Sequence, residues 1–401
     1  MSMRILMLSY RIPFPLTAGF RIRIFNSAKY LKKSGHTIDL MFLGKHSELE
    51  KYNDELRTVF DEMWCFEVEP LEVVWNLFTK TLLRKKPLQV ALYWNKKMNR
   101  CILKNQDKYD LILGNSVRNA EYLLEIPSNK AYLDLHDAAS YNYKNLIPKL
   151  HFPKKLLYIV EYNLLKKYEC WISSRIQNIC IISNADREYL KRNGAETSNM
   201  QVIPVAVRDD IRNMKTSVYN DEISVCFLGK MSYQPNEDAA VWFAKEVFPV
   251  IKEKYKEFRF YIIGIEPTRK VIELSERSGV IVTGFLENPY EIVEKCVAMI
   301  VPIRNGAGMQ NKILESMVVG TPCIISSIAE EGLNGINWQT YIVANSKNEY
   351  IEGIERIIGD YELRKKISDE GKKFVSQYKW PNIEKKLCDF LKLNDIEGRD
   401  I

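Results

Sequence analysis

At 401 residues, 46% hydrophobic and 27% charged, the chain has material for two globular cores and is too balanced for a disordered or low-complexity protein. Its longest apolar runs, such as Ala298–Ile303 and Pro322–Ile325, are strand-sized and too short for a membrane span. The net charge of +7 is unevenly placed: residues 1–207 carry 31 Lys/Arg against 21 Asp/Glu, and residues 208–401 carry 27 against 30. No zinc-finger spacing, RNP-like aromatic run or basic-region heptad accompanies the basic half, so nucleic acid is not expected as a partner.

The amino end, MSMRILMLSY, has an apolar stretch too short for a secretory signal and is expected to be a first strand, Arg4–Ser9, in a cytoplasmic protein. A Pro- and Gly-punctuated loop follows. Phe20–Lys33 then fits an amphipathic helix with Ile24, Ala28 and Leu31 on one face, and Thr37–Leu43 is the next strand. Strand–helix–strand in this order implies a parallel pair. Leu111–Leu113, Ala131–Leu135, Ile179–Ile182 and Val202–Pro204 continue the first half. Ile223–Leu228, Phe258–Ile263, Val280–Thr283, Ala298–Pro302 and Cys323–Ser326 repeat the alternation in the second, before a mostly helical tail.

The expected fold is α/β: two facing, doubly wound Rossmann-like domains. Residues 1–207 form the first and 208–378 the second, and 379–401 form a helix packing back on the first. In such sheets ligands lie beyond the carboxyl ends of the strands. The eight cysteines lie far apart, with no CxxC among them, so neither a disulfide framework nor a zinc site is expected.

The most informative segment is VPIRNGAGMQNKILESMVVGT, Val301–Thr321. A strand ends, a Gly-rich turn follows, and a helix begins near Met309. Gly306, Gly308 and Met309 would bring backbone N–H groups to an anion, with the helix N-terminus favouring negative charge. Lys312 adds a full charge in the first turn. Glu315, three residues on, is placed to accept hydrogen bonds from a ribose diol. The alternative is an ordinary strand–turn–helix with a surface Lys–Glu pair.

The segment GAGMQNKILESMVVGTPCI resembles the Gly-x-x-x-Lys-x-x-Glu-(Ala/Ser)-Met-x-x-Gly-x-Pro motif of family 4 (group 1) glycosyltransferases, with Gly308, Lys312, Glu315, Met317, Gly320 and Pro322 in register. FLGKMSYQPNEDAAVWF, FRFYIIG, VTGFLENPYEIV and DYELRKKISDEGKKFVSQYKW occur in the family's order, and IPFPLTAGFRIR resembles its amino-terminal Gly loop. The resemblance implies a GT-B fold and a retaining, hexosyltransferase-type transfer from a nucleotide-diphosphate sugar, UDP- or GDP-linked, to a glycan or lipid-linked acceptor. No resident cofactor or metal is implied.

Residue by residue, the resemblance implies Gly19 facing the donor phosphates, Lys230 and Lys312 on the diphosphate, and Gly306, Gly308 and Met309 cradling phosphate. Glu315 would hold the ribose, Gly284, Phe285 and Leu286 would contact the base through main chain, and His136 would lie near the transferred sugar. Three positions depart from the motif. Ala307 stands where a first Glu of Glu–x7–Glu is usual, Pro235 replaces a second basic residue, and Pro204-Val205-Ala206 replaces Pro-Asn-Gly.

Two stretches, 79–106 and 151–167, mix Lys/Arg with apolar and aromatic residues. They point to an anionic membrane surface on the inner face of the cell membrane, against the alternative of solvated helix faces. Arg21 and Arg23 flank the Gly19 loop, either as cations for an acidic acceptor or as exposed helix-start residues. A nucleotide-sugar epimerase and a catalytically inactive nucleotide-sugar-binding protein on the same fold are the competing functions.

Overall fold

The computed structural model describes residues 2–16, 18–207, 211, 223–304 and 310–393. The apolar run Arg4–Ser9 forms β1, with Ile5, Leu6, Met7 and Leu8 fully buried, as expected of a strand covered on both faces. The helix Gly19–Lys33 buries Ile24, Ala28 and Leu31 and ends on Lys32 and Lys33, which complement its carboxyl-terminal partial charge. β2 (Thr37–Leu43) then pairs parallel to β1.

β3 (Met63–Phe66), β4 (Leu111–Asn115), β5 (Ala131–Asp134), β6 (Asn178–Ile181) and β7 (Met200–Val202) complete a seven-stranded parallel sheet of order β3-β2-β1-β4-β5-β6-β7. A second sheet contains β8 (Ser224–Leu228), β9 (Arg259–Ile263), β10 (Val280–Gly284), β11 (Ala298–Val301), β12 (Cys323–Ile325) and β13 (Ile342–Val343). These strands are also parallel, in the order β10-β9-β8-β11-β12-β13.

Each sheet reverses its winding once, between β1 and β4 and between β8 and β11. Such switch points open a crevice at the carboxyl ends of the strands. The chain divides into two compact units, Met1–Pro204 with Pro381–Ile401, and Val205–Trp380. Within the first, the helix Trp380–Phe390 receives a 2.7 Å hydrogen bond from Ser34 Oγ at Glu384, and sets Phe390 edge-on against Tyr132. Among the described residues, no helix is long and apolar enough to cross a membrane.

Candidate functional site

In the second unit the site is assembled where β8 ends. Gly229 donates its N–H to Ile263 O, and the chain then turns into the helix Gln234–Trp242. Early in that helix, Asn236 reaches back, donating from Nδ2 to the carbonyl of Lys230 at 3.0 Å. Its Oδ1 accepts a 2.7 Å hydrogen bond from the Lys312 amine, in the first turn of the helix Asn311–Val319.

Beneath this clamp lies the buried Phe227 ring, whose centroid is 4.4 Å from Lys312 Nζ. The clamp needs Gly229: a Cβ there would lie 2.7 Å from Asn236 Nδ2 and 3.1 Å from Lys312 Nζ. Gly264, at φ +147°, is required just behind it, because its Cβ would fall 1.7 Å from the Gly229 carbonyl oxygen. Main chains from β8 and β9 thus approach to a distance that only glycine allows.

The electrostatics are unusual for a lysine. Burial pushes the Lys312 amine down to about 7, with the Glu315 carboxylate partly opposing the shift. Near neutral pH the group is therefore divided between its charged and neutral forms. Lys230 differs: its exposed ammonium is paired with Glu266 at 2.8 Å, and Ser232 donates to the same carboxylate. At the end of β10, the carbonyl of Gly284 accepts from Gly264 N–H and from the Thr283 hydroxyl. Phe285 projects 74% exposed and Leu286 packs against the core. Gly306, Ala307, Gly308 and Met309 lie outside the described residues.

In the first unit, His136 sits two residues beyond β5 with φ +65°. Its N–H donates to Asp134 Oδ1 at 3.0 Å, and its carbonyl accepts from Ile182. The residue is 9% exposed, and its Nε2, 3.7 Å from Asp134 Oδ2, has no hydrogen-bond partner. Burial lowers the imidazole, which leaves it neutral at pH 7.

Asp134 is held by Arg23, whose Nε lies 2.5 Å from Oδ2 and whose Nη1 donates to the carbonyls of Ile203 and Pro204. Burial alone would raise Asp134, but the Arg23 guanidinium wins and lowers it. Arg23 is therefore a buried structural cation, which corrects both readings of it as a surface charge. Gly19 opens the helix Gly19–Lys33, and a Cβ there would meet no atom within 4 Å.

The basic stretch 79–106 is less uniform than its sequence suggests. Lys80 is buried beside Glu121 at 3.6 Å and over the Trp94 ring at 3.8 Å, and Lys86 also binds Glu121. Arg84 and Lys85 stay exposed beside Leu82 and Leu83. On the helix Lys154–Ser173 the exposed apolar residues include Leu156, Leu157 and Val160. Of the groups sequence reasoning missed, Asn236 matters most for the second unit and Asp134 for the first.

Residues 222–360 match the family of group 1 glycosyl transferases. An uncharacterised 44.6 kDa protein of the cps region of Klebsiella pneumoniae is 21% identical, over 86% of this chain and 88% of its own. An uncharacterised glycosyltransferase of Methanocaldococcus jannaschii is 22% identical over 98% of each chain. The Anabaena protein HepE, solved in complex with UDP, has the same fold at a TM-score of 0.68 and 13% identity, covering 98% of this chain and 100% of that one. Together these matches support a glycosyltransferase of the GT-B fold.

Proposed function

We propose that the protein transfers a sugar, with retention, from a UDP- or GDP-sugar to a glycan or lipid-linked acceptor, in the assembly of a bacterial surface polysaccharide or glycolipid. The observation that carries this reading is the Lys312–Asn236 clamp over Gly229, with Glu315 one turn along the same helix. A half-ionised amine in a low-dielectric recess gains most from an arriving diphosphate, because the anion restores the charge that burial disfavours. The family match over residues 222–360 and a structural relative crystallised with UDP agree with a nucleotide in this unit.

In the proposed step the bond between the sugar's anomeric carbon and the diphosphate oxygen breaks, and the diphosphate leaves with the electron pair. The acceptor oxygen bonds to that carbon on the same face, and its proton passes to a diphosphate oxygen. Lys312, Lys230 and the main chain around Gly308 stabilise the growing negative charge, Glu315 holds the ribose, and neutral His136 donates to or accepts from a hydroxyl of the transferred sugar. In this proposal residues 284–286 contact the base, and Gly19 has the phosphate-contacting role that the resemblance implies. The step needs no metal, so turnover is expected to persist in EDTA, and its abolition would overturn that part of the proposal.

The exposed apolar residues Leu71, Trp75, Leu82 and Leu83, with Arg84 and Lys85, and Leu156 and Leu157, with Lys154 and Lys155, favour docking on an anionic inner membrane face. Flotation showing no preference for anionic over neutral vesicles removes that part.

The test of the activity is a thermal-shift panel of UDP, GDP, ADP and CMP on the wild type and Glu315→Ala. At 100 times its Kd a ligand adds roughly 2.7 kcal/mol of stability. One base raising the midpoint, with the shift lost in the variant, is the expected result. No shift from any of the four at millimolar concentration would refute the donor reading and leave the transfer without support.

A further inference from the structure

We infer that the first unit carries a pocket that binds the phosphate group of the acceptor. This rests on the transferase reading for the word acceptor, but the pocket is argued from its own residues. A cavity of about 470 Å³ opens at the carboxyl ends of β1, β2 and β3, and every residue lining it belongs to the first unit. Three cations line it: Arg11 just past β1, Arg21 in the first turn of the helix Gly19–Lys33, and Lys45 just past β2.

None of the three has a carboxylate within ion-pair distance among the described residues. Other cations of the unit do, Arg4 with Asp39, Arg23 with Asp134, and Lys80 and Lys86 with Glu121. Two acids also line the cavity, and both are engaged by main chain. Glu48 accepts from Lys45 N–H at 3.1 Å and Glu67 from His46 N–H at 3.0 Å.

The guanidiniums have only neutral partners. Arg11 donates to Tyr93 Oη at 2.7 Å, and Arg21 donates to the Pro15 carbonyl at 3.3 Å. The Nε of Arg21 is enclosed without a hydrogen-bond partner, where buried donors ordinarily find one. A fourth cation, Arg118, stands over the Tyr10 ring at 4.5 Å, and its Nε is likewise unpartnered. In the lining three cations without a carboxylate partner stand against two carboxylates already held by main-chain N–H groups, with Arg118 behind the Tyr10 ring, a balance that suits an anionic phosphate ligand. Guanidinium forks also match phosphate oxygens in geometry.

The remaining walls indicate what the phosphate is attached to. Ile12, Val68, Val73 and Leu92 are apolar, and Tyr10 and Tyr93 present rings. Val73 lies on the helix Pro70–Asn76, which also carries the exposed Leu71 and Trp75. The ligand class is a phosphate-bearing acceptor, either a prenyl-type lipid phosphate or a soluble sugar phosphate.

The experiment titrates geranyl phosphate, geraniol, glucose 6-phosphate and glucuronate into the full-length protein saturated with the nucleotide found above, so that the second unit does not report. Geranyl phosphate is expected to bind at least tenfold more tightly than geraniol and glucuronate. In the Arg11→Gln/Arg21→Gln double variant that preference is expected to disappear while nucleotide affinity is unchanged, which also shows that the variant is folded. If the double variant does not fold, Arg11→Gln alone, at an exposed residue, is read the same way.

Tighter binding of geranyl phosphate than of glucose 6-phosphate assigns a lipid source, and the reverse assigns a soluble one. Both support the phosphate site. Equal binding of glucuronate and the phosphates, or a phosphate affinity untouched by the arginine changes, overturns it. Failure of every nucleotide to bind counts instead against the donor reading; the phosphate titration is then run without nucleotide on Lys312→Met, and the same outcomes decide it.

Discussion

Binding of a nucleoside diphosphate is expected to draw a proton onto Lys312. With the amine at about 7 in the empty site, roughly one-tenth of the molecules carry its proton at pH 8. A diphosphate within a few ångströms favours the charged form. If it returns the group to its ordinary 10.5, nearly all complexes are protonated. Binding at pH 8 then takes up ~0.9 proton, falling to ~0.1 at pH 6, where the amine is already charged.

Calorimetric titration at pH 8 in buffers of different ionisation enthalpy reads this number directly as a slope. At that pH the phosphate's own second ionisation, near 6, is complete and does not contribute. From pH 8 to 10 the affinity is expected to fall about tenfold per pH unit, because the unliganded amine must be protonated before the diphosphate is held. Lys312→Met removes the uptake. So does Asn236→Asp, which sets a carboxylate 2.7 Å from the amine and charges it in advance. A saturable heat at pH 8 that does not vary with buffer would refute the placement of the diphosphate at Lys312.

Two further expectations concern the framework. Gly264→Ala drives a methyl group into the Gly229 carbonyl at a positive φ, and is expected to destabilise the protein by about 3 kcal/mol or more in a urea titration; wild-type stability would show that the β8–β9 approach is not as described. Asp134→Asn strands the buried Arg23 guanidinium and is expected to lose about 3–5 kcal/mol at pH 7. Because Asp134 is lowered in the folded protein, its contribution is present above 3.8 and fades as pH falls below that towards the folded value. A difference between variant and wild type that shrinks between pH 7 and pH 5 would contradict this.

What could be learned from the sequence follows from the range of each interaction. Strands covered on both faces announce themselves as continuous apolar runs, and the limits of β1 and β2 coincide with theirs. β3 and β13 do not: MWCF lies half-buried among acids, and β13 has only two residues. Lys312 and Glu315 were legible because one helix turn relates them. Asn236 was not, since 76 residues separate it from the amine it holds, and only the fold brings the two together.

Arg23 and Asp134 are 111 residues apart for the same reason, so a buried pair resembled a surface charge. Lys80 and Lys86 misled in the same direction. Their run is basic in sequence, but the acid that neutralises part of it, Glu121, comes from beyond β4.

The division of the chain has a consequence for its synthesis. The unit holding Lys312 is one continuous stretch, Val205–Trp380, whereas the other is interrupted by it and resumes at Pro381. On a ribosome the continuous unit has all its strands before Pro381 emerges. The first unit must wait with Ser34 and Tyr132 uncovered until the helix Trp380–Phe390 arrives. The continuous unit can thus be completed early, while the interrupted one depends on residues beyond 380, and a premature stop before residue 381 damages the half encoded first.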